Sequence, residues 1–268
     1  MKLGGSVITH KTADRPSLNG QALDRIAREI ASVGRDLWPK ALVHGAGSYG
    51  HPIVSRTRFC ERLGTPQALA AWGQTQILQS ELSNLVAERL LAAGVPALPL
   101  QASAVAVLRQ GRLVHFEDRT LRHLAALGLV PVLGGVPAVD EALGCAILSG
   151  DLLVPAVARA LGVRRFALGT DVAGVFDRDP RRHSDARLLP VVCPDNWEQV
   201  RQGLTGSTAT DVTGGMAAKI AALLEEARAG VEATVFDATV PGAVAAVLRG
   251  ERLGTRITAA CQASGGGA

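Results

Sequence analysis

Apolar residues recur along this chain in two patterns, one typical of helices and one typical of strands. Segments 23–37 and 69–90 place apolar residues mainly three or four positions apart, which predicts two long helices with one buried face. Further helices are predicted at 152–161, 212–229 and 242–249. Short apolar runs bounded by proline or glycine predict buried strands at 41–44, 97–100, 130–133, 165–168 and 233–236.

The order of these segments predicts the fold class. Strands and helices alternate along the chain, which favours an α/β fold with a mostly parallel sheet covered by helices on both faces. No internal repeat and no linker rich in proline or serine interrupts the pattern, so we expect a single domain over residues 1–261. Residues 262–268 are rich in glycine, alanine and serine, and we expect them to form a disordered tail.

Composition narrows the classes of function. The 268 residues carry a net charge of +4 and only 3% are aromatic, which argues against a nucleic-acid partner. No apolar run is long enough to cross a bilayer and no signal-peptide core is present, so we expect a cytoplasmic protein with no membrane partner. The cysteines are widely spaced and form no C-x-x-C pair, so we expect free thiols at Cys60, Cys145, Cys193 and Cys261.

Lysine is rare in this chain, and its positions are informative. The 28 basic residues include only four lysines, Lys2, Lys11, Lys40 and Lys219. All except Lys40 lie in or close to glycine-rich segments. A compact, mobile ammonium group beside exposed backbone N–H groups is well suited to binding phosphate oxygens.

Two glycine-rich segments occur in the first half of the chain. The first, K-L-G-G-S, begins at Lys2, and the second, H-G-A-G-S-Y-G-H-P, begins at His44. The second contains G-x-G-x-x-G, but Pro52 follows at once and residues 67–76 contain no acid, so a dinucleotide-binding loop is rejected. We interpret it as an anion-binding loop in which His51 is a donor. A structural role stays open for both histidines.

Three further segments lie in the second half. I-L-S-G-D at 147–151 precedes a predicted helix, where Asp151 would ordinarily be an N-cap. An acid-rich loop occupies 170–180, and D-V-T-G-G-M-A-A-K at 211–219 places a lysine one turn inside a predicted helix. The P-loop pattern G-x-x-x-x-G-K-[ST] is absent from the sequence. Several separate phosphate-binding turns on one parallel sheet suit a protein that brings two phosphorylated molecules together.

In this order and spacing, the segments resemble those of the amino acid kinase superfamily and, within it, the isopentenyl phosphate kinases. The similarity extends from Lys2 to Ile257, and the His51 loop is its most specific element. The resemblance implies an open three-layer αβα sandwich, usually a homodimer, that uses ATP and Mg²⁺ to phosphorylate isopentenyl phosphate to isopentenyl diphosphate. Residues 1–148 would mainly bind the acceptor, and residues 149–261 would mainly bind the nucleotide.

The resemblance also assigns roles residue by residue. Those implied in catalysis are Lys2, Lys11, His51 and Asp151. Those implied in binding ATP are Lys2, Leu3, Gly4, Gly5, Ser6, Ala46, Asp171, Gly215 and Lys219. Those implied in holding the acceptor phosphate are Gly45, Gly50, His51 and Gly150. In this scheme Lys11 stabilises the transferring phosphoryl group, Asp151 orients the lysines, and no protein side chain is assigned to a metal.

Two other functions stay open. A fosfomycin kinase would use equivalent lysines and a histidine on a small phosphonate, whereas an isoprenoid acceptor needs an apolar wall, expected from the helix around 72–86. Glutamines on that helix leave the choice undecided: Gln74, Gln76 and Gln79. The second alternative is not an enzyme but a non-catalytic sensor of a nucleotide or other ligand on the same fold. Two departures from the family pattern, Gly134-Gly135 and Ala173, concern details of the acceptor and nucleotide sites.

Overall fold

The computed structural model describes residues 1–10, 13–178, 180, 183–205 and 215–261. Lys11, residues 211–214 of the last glycine-rich segment and the tail at 262–268 lie outside the described residues, so the expectations for them are not tested. The division into an acceptor half and a nucleotide half stays a prediction.

Helices and strands alternate through the described part of the chain. The strands are β1 (Lys2–Leu3), β2 (Leu42–His44), β3 (Ala97–Pro99), β4 (Ala106–Arg109), β5 (Arg112–Phe116), β6 (Val130–Gly134), β7 (Val136–Asp140), β8 (Gly144–Leu148), β9 (Arg165–Thr170), β10 (Val191–Val192), β11 (Glu232–Asp237) and β12 (Thr255–Ile257). The helices are α1 (Gly5–Ile8), α2 (Gly20–Ser32), α3 (His51–Thr57), α4 (Pro66–Ala92), α5 (Ala102–Val105), α6 (Arg119–Ala126), α7 (Gly150–Ala160), α8 (Pro194–Thr205), α9 (Gly215–Arg228) and α10 (Ala243–Leu248). Every strand and helix predicted from the apolar pattern is present.

The main sheet has eight strands in the order β10-β12-β11-β9-β1-β2-β6-β3. The six strands from β11 to β3 are parallel, and the antiparallel pair β11–β12 reverses the direction at one edge. The carboxyl ends of β9, β1, β2 and β6 therefore lie side by side, and the loops that follow them meet along one edge of the sheet.

Alternating side chains of the central strands enter two separate cores. Leu42 and Val132 pack in the core formed with α2, α4 and α10, whereas Val43 and Leu133 pack in the core formed with α7 and α9. Side chains of a strand point alternately to opposite faces, so each face of the sheet is covered by its own helical layer. The expected three-layer αβα sandwich with a mostly parallel sheet is confirmed.

A second sheet of four strands, in the order β5-β4-β7-β8, was not predicted. Asp140 at the end of β7 fixes its hairpins, because its carboxylate accepts the N–H of Gln110 at 3.1 Å and of Gly111 at 2.7 Å across the sheet. The same carboxylate accepts the N–H of Ala142 at 2.9 Å and of Leu143 at 2.8 Å. Burial opposes ionisation here, but these four donors hold the pKa of Asp140 below its usual range.

The expectation of free thiols is wrong, because the structure contains two disulfides. Cys60 in the turn 59–61 is bonded to Cys145 on β8, with their Cα atoms 4.9 Å apart. Cys193 after β10 is bonded to Cys261 after β12, with their Cα atoms 5.4 Å apart. β10 and β12 are adjacent parallel strands, so the residues that follow them are neighbours. The pairing depends on these tertiary contacts and not on the spacing of cysteines in the sequence.

Loss of the Cys60–Cys145 disulfide is expected to lower the free energy of unfolding. The bond joins residues 85 positions apart, and closing a loop of that length stabilises a protein by about 4.6 kcal/mol in the chain-entropy account. Urea unfolding of the Cys60→Ala/Cys145→Ala double variant measures the loss, and a reductant should produce at least the same loss in the parent protein. Four titratable thiols in the denatured, unreduced protein would contradict the assignment.

Within the described residues, none of the helices combines the length and the apolar character needed to cross a bilayer.

Candidate active site

The loop after β1 is a tight turn that leads directly into a helix. Gly4 N–H donates to Gly169 O at 2.7 Å, which ties the turn to β9, and α1 begins at Gly5. The first N–H groups of a helix have no partner within it, so those of Gly5 and Ser6 are available to an anion. The predicted ATP-binding segment Lys2 to Ser6 thus lies at the carboxyl edge of the sheet.

The loop after β2 packs directly against that turn. Gly45 N–H donates to Leu3 O at 3.0 Å. A Cβ atom on Gly5 would lie 2.6 Å from Gly47 Cα, and one on Gly45 would lie 2.7 Å from Gly5 N. Side chains at either position would push the loops apart, so glycine is what permits two N–H-rich turns to approach this closely.

Thr9 joins the two loops by side-chain hydrogen bonds. Its hydroxyl donates to Gly5 O at 2.7 Å and accepts the N–H of Ser48 at 3.1 Å. The position of the 47–49 turn is therefore coupled to that of α1. Neither Thr9 nor Gly47 was predicted as a site residue, since nothing local in the sequence marks the contact.

The helix α7 brings a third N–H-rich turn to the same edge. Ser149 is its N-cap and accepts the N–H of Leu152 at 3.2 Å, so the ordinary interpretation of Asp151 as the cap is wrong. A Cβ atom on Gly150 would lie 3.2 Å from His44 O and from Lys2 Cε, which shows how closely α7 approaches β1 and β2. Because Ser149 satisfies the cap, the Asp151 carboxylate is directed to other partners.

Asp151 binds two of the rare lysines. Its Oδ1 atom lies 2.6 Å from Lys2 Nζ, and its Oδ2 atom lies 3.4 Å from Lys219 Nζ on α9. Residues from β1, α7 and α9 thus converge although they are up to 217 positions apart in sequence (219 − 2). The Asp151 carboxylate therefore contacts both lysines, and its role in orienting them stays a prediction.

The cluster shifts the pKa values of Lys2 and Asp151. Burial lowers the pKa of Lys2 below its usual range, the carboxylate of Asp151 opposes that shift, and the charge of Lys219 adds to it. Burial by itself would raise the pKa of Asp151, but the two ammonium groups outweigh it and hold the pKa below the usual range. The arrangement keeps an ionised carboxylate between two cations at a partly enclosed site.

His44 has a structural role. Its side chain is fully buried, Nε2 lies 2.8 Å from Ser83 Oγ on α4, and Nδ1 lies 3.2 Å from Gly45 O. Burial lowers its pKa to about 4, so the ring is neutral at physiological pH. The predicted donor His51, by contrast, is exposed at the first position of α3.

The remaining predicted residues lie at the same edge of the sheet. Asp171 is exposed immediately after β9, and Gly215 begins α9. Ala46, Gly50 and His51 belong to the loop that leads from β2 into α3. Direct contacts join Lys2, Asp151 and Lys219 in one cluster and join Gly5 to the loop at Gly45 and Ala46. Lys11 lies outside the described residues.

This edge presents the kinds of group that bind phosphate. It combines two ammonium groups with the first N–H groups of α1 and α7, and the close contact between Gly5 and Gly47 leaves no room for a side chain at Gly5. Dense positive charge and fixed N–H dipoles are what stabilise a transferring phosphoryl group.

Comparison with known proteins identifies relatives over nearly the whole chain. The profile of the "Amino acid kinase family" matches residues 1–237. An isopentenyl phosphate kinase of Methanothermobacter thermautotrophicus is 40% identical, with 96% of this chain and 98% of that protein covered. An isopentenyl phosphate kinase of Methanocaldococcus jannaschii is 29% identical, with 96% and 97% covered. An X-ray structure of an isopentenyl phosphate kinase superposes with a TM-score of 0.80 at 36% identity, with 96% of this chain and 98% of that chain covered.

Proposed function

The chain belongs to the amino acid kinase family, and we propose that it transfers the γ-phosphoryl group of ATP to isopentenyl phosphate and forms isopentenyl diphosphate. The observation that carries the proposal is the Lys2–Asp151–Lys219 cluster beside two abutting N–H-rich loops. The names of the most similar relatives, which are isopentenyl phosphate kinases, support the choice of acceptor.

A phosphate acceptor explains the kind of chemistry that the site can perform. A phosphate monoester has a second pKa near 6, about as for phosphoserine, so it is largely dianionic at neutral pH and needs no general base. The difficulty of the reaction is the approach of two anions. Lys2, Lys219 and the first N–H groups of α1 and α7 would offset that repulsion around the in-line transition state.

The roles of the residues follow from where they lie. In the proposal, Lys2 and Lys219 bind the transferring phosphate, and Asp151 is a positioning residue that sets both ammonium groups. Gly45, Gly50, His51 and Gly150 hold the acceptor phosphate, while Gly4 to Ser6, Ala46, Asp171 and Gly215 contact ATP. Lys11 is assigned to the transferring phosphoryl group from the sequence resemblance.

In the proposal, Mg²⁺ enters the site bound to the phosphates of ATP. The Asp151 carboxylate is engaged by Lys2 and Lys219, so the cluster does not offer a free anionic cage for a metal. Mg²⁺ commonly keeps several waters and binds mainly through substrate phosphates. When bound, it neutralises charge on the nucleotide phosphates. A homodimer remains part of the proposal on the basis of the sequence resemblance.

An apolar cluster next to the acceptor loop supports an isoprenoid tail. Three buried residues pack together: Ile53 on α3, Phe59 in the turn 59–61 and Ala71 on α4. Trp72 and Leu78 on α4 pack against them. α3 begins at His51, so the proposed phosphate donor and the apolar cluster lie on the same short helix. Of the three glutamines on α4, Gln74 is exposed, Gln76 binds Ser103 and Gln79 faces the Ala46 carbonyl.

An assay of ADP release tests the choice of acceptor. Isopentenyl phosphate, dimethylallyl phosphate and fosfomycin are offered in parallel with ATP and Mg²⁺. We expect turnover of isopentenyl phosphate and little turnover of fosfomycin. Turnover of fosfomycin alone would replace the proposal with a phosphonate kinase, and ATP binding without turnover of any acceptor would favour a ligand sensor.

His51→Ala is expected to weaken use of the acceptor far more than use of ATP. The loss of one hydrogen bond to a charged phosphate raises the acceptor KM by about ten- to a hundredfold. His115→Ala on β5 is the matched control, since that histidine is exposed on the small sheet. Steady-state kinetics with each substrate varied give both KM values, and an equal rise of the two would contradict the role of His51.

A further inference from the structure

The helix α4 carries a stripe of buried polar side chains on the face that it turns toward the acceptor loop. Thr75, Gln79 and Ser83 are spaced four residues apart, and each is less than 9% exposed. Residues at this spacing lie on the same face of a helix. A buried polar group is costly unless it has a partner, so the partners of each indicate what the stripe does.

The two ends of the stripe have satisfied hydroxyl groups. Thr75 Oγ1 donates to Ala71 O within α4 at 2.8 Å, so it contacts only its own helix by hydrogen bonding. Ser83 Oγ lies 2.8 Å from Nε2 of the neutral His44, which fixes the end of β2. Ser83 therefore connects α4 to the residue immediately before the loop.

Gln79, between them, faces the loop itself. Its side-chain Nε2 donates to Ala46 O at 3.4 Å, and the residue is only 1% exposed. A Cβ atom on Gly50 would lie 2.6 Å from that Nε2 atom, so the absence of a side chain at Gly50 makes room for the amide. Gln79 Oε1 is buried without a hydrogen-bond partner among the described residues. The Gln79 amide thus lies next to Ala46 at one end of the 46–50 turn and next to Gly50 at the other end.

Holding the Ala46 carbonyl fixes the orientation of the next N–H group. The same carbonyl accepts the N–H of Tyr49 at 3.1 Å. The carbonyl therefore has two donors, Gln79 on α4 and Tyr49 within the turn. In a planar trans peptide the C=O and N–H bonds point in opposite directions. The N–H of Gly47 is therefore directed away from Gln79 and toward the turn at Gly5, with which Gly47 is in close contact.

We propose that Gln79 is a positioning residue that sets the 46–50 turn, and with it the acceptor-binding residues Gly50 and His51, by donating a hydrogen bond to the Ala46 carbonyl. This inference rests on the proposed function for its kinetic consequence. The geometric part, that the Gln79 amide holds the turn, does not depend on which acceptor is used.

Two substitutions at Gln79 separate the hydrogen bond from the shape of the side chain. Gln79→Met keeps the approximate length and removes the donor, while Gln79→Glu keeps the shape and, when its carboxyl group is ionised, places a second acceptor against the carbonyl. The matched control is Thr75→Val, which alters a buried hydroxyl on the same face without touching the loop.

The acceptor KM is the diagnostic quantity, because a merely destabilised enzyme loses active molecules without changing KM. We expect Gln79→Met to raise the acceptor KM about tenfold, and Gln79→Glu at least as much, with a change of less than about threefold in the ATP KM. Thr75→Val should leave both KM values unchanged. Wild-type acceptor KM values in both Gln79 variants, or an equal rise of both KM values, would overturn the proposal.

A second measurement separates failure of this inference from failure of the proposed function. Wild-type turnover in the acceptor assay decides the proposed function by itself. If no acceptor is turned over, hydrogen exchange of the backbone amides at 45–50 is measured by mass spectrometry in the same variants. We expect faster exchange in Gln79→Met and unchanged exchange in Thr75→Val, and identical exchange in Gln79→Met and the parent protein would overturn the positioning role.

Discussion

Replacing Asp151 with asparagine is expected to lower kcat by about a thousandfold, the scale seen when a fixed electrostatic contact to a transition state is lost. Asparagine has nearly the same size, so the change removes charge and leaves the packing of α7 intact. Without the carboxylate, Lys2 and Lys219 repel each other and neither is held at its place beside the loop glycines. ADP release at saturating ATP and acceptor measures the effect.

The pH dependence of the variant gives a second readout. The pKa of Lys2 is already lowered by burial and by Lys219, and only Asp151 opposes the shift. Removal of the anion lowers that pKa further, so the protonated form of Lys2 is lost at a lower pH. If the reaction needs charged Lys2, the alkaline limb of the kcat–pH profile moves to lower pH in Asp151→Asn.

Asp118→Asn is the control for charge removal, since Asp118 forms an ion pair with Arg122 on α6. It should leave kcat and the pH profile close to those of the parent enzyme. Parent-like kcat in Asp151→Asn, with an unmoved alkaline limb, would show that the carboxylate does not position the lysines.

Substitution of Gly5 by alanine is expected to lower kcat/KM for both substrates by at least about a hundredfold, because a shift of about 1 Å in the reacting groups has an effect of that size. The added methyl group would lie 2.6 Å from Gly47 Cα and closer still to Gly47 N. Both contacts are with backbone, which cannot rotate aside as a long side chain could. The turn after β1 and the turn after β2 must therefore separate, and the donors at α1 move with them.

Gly73→Ala is the matched control for Gly5→Ala. A Cβ atom at Gly73 meets nothing within 4 Å, and the residue lies inside α4. Alanine there should raise the free energy of unfolding by about 0.5–1 kcal/mol and leave the kinetics unchanged. If Gly5→Ala retained kcat/KM within a few-fold, by the same assay, the contact between the two loops would not matter for the reaction.

The main sheet could be predicted because its strands are short apolar runs and its helices have a regular apolar spacing. The apolar pattern did not predict the small sheet, because its strands are short and several of their side chains are exposed. In β5, for example, Arg112 and His115 are exposed, and the strand carries no continuous apolar run. Gln110 and Gly111 form the turn between β4 and β5, and both have positive φ. A glycine in such a two-residue turn is a local sequence signal from which this hairpin could have been predicted.

The site was predictable to a different extent. Lysines and glycines at the ends of predicted strands identified the loops, since carboxyl ends of parallel strands share one edge. The partners of Asp151 could be inferred only through resemblance, because Lys2 and Lys219 are distant in sequence. Gln79 and Thr9 act through tertiary contacts with backbone atoms, and the disulfides depend on the unpredicted small sheet and on the pairing of β10 with β12. Local sequence does not encode such contacts.

The position of β1 in the main sheet has a consequence for biosynthesis. β1 contains two residues and lies between β2, which ends at His44, and β9, which ends at Thr170. A nascent chain that has not yet exposed β9 leaves one side of β1 without a backbone partner, and the Gly4 N–H without its acceptor Gly169. The turn that binds phosphate is therefore completed only by residues made long after it, so synthesis of the first half alone cannot yield a functional site.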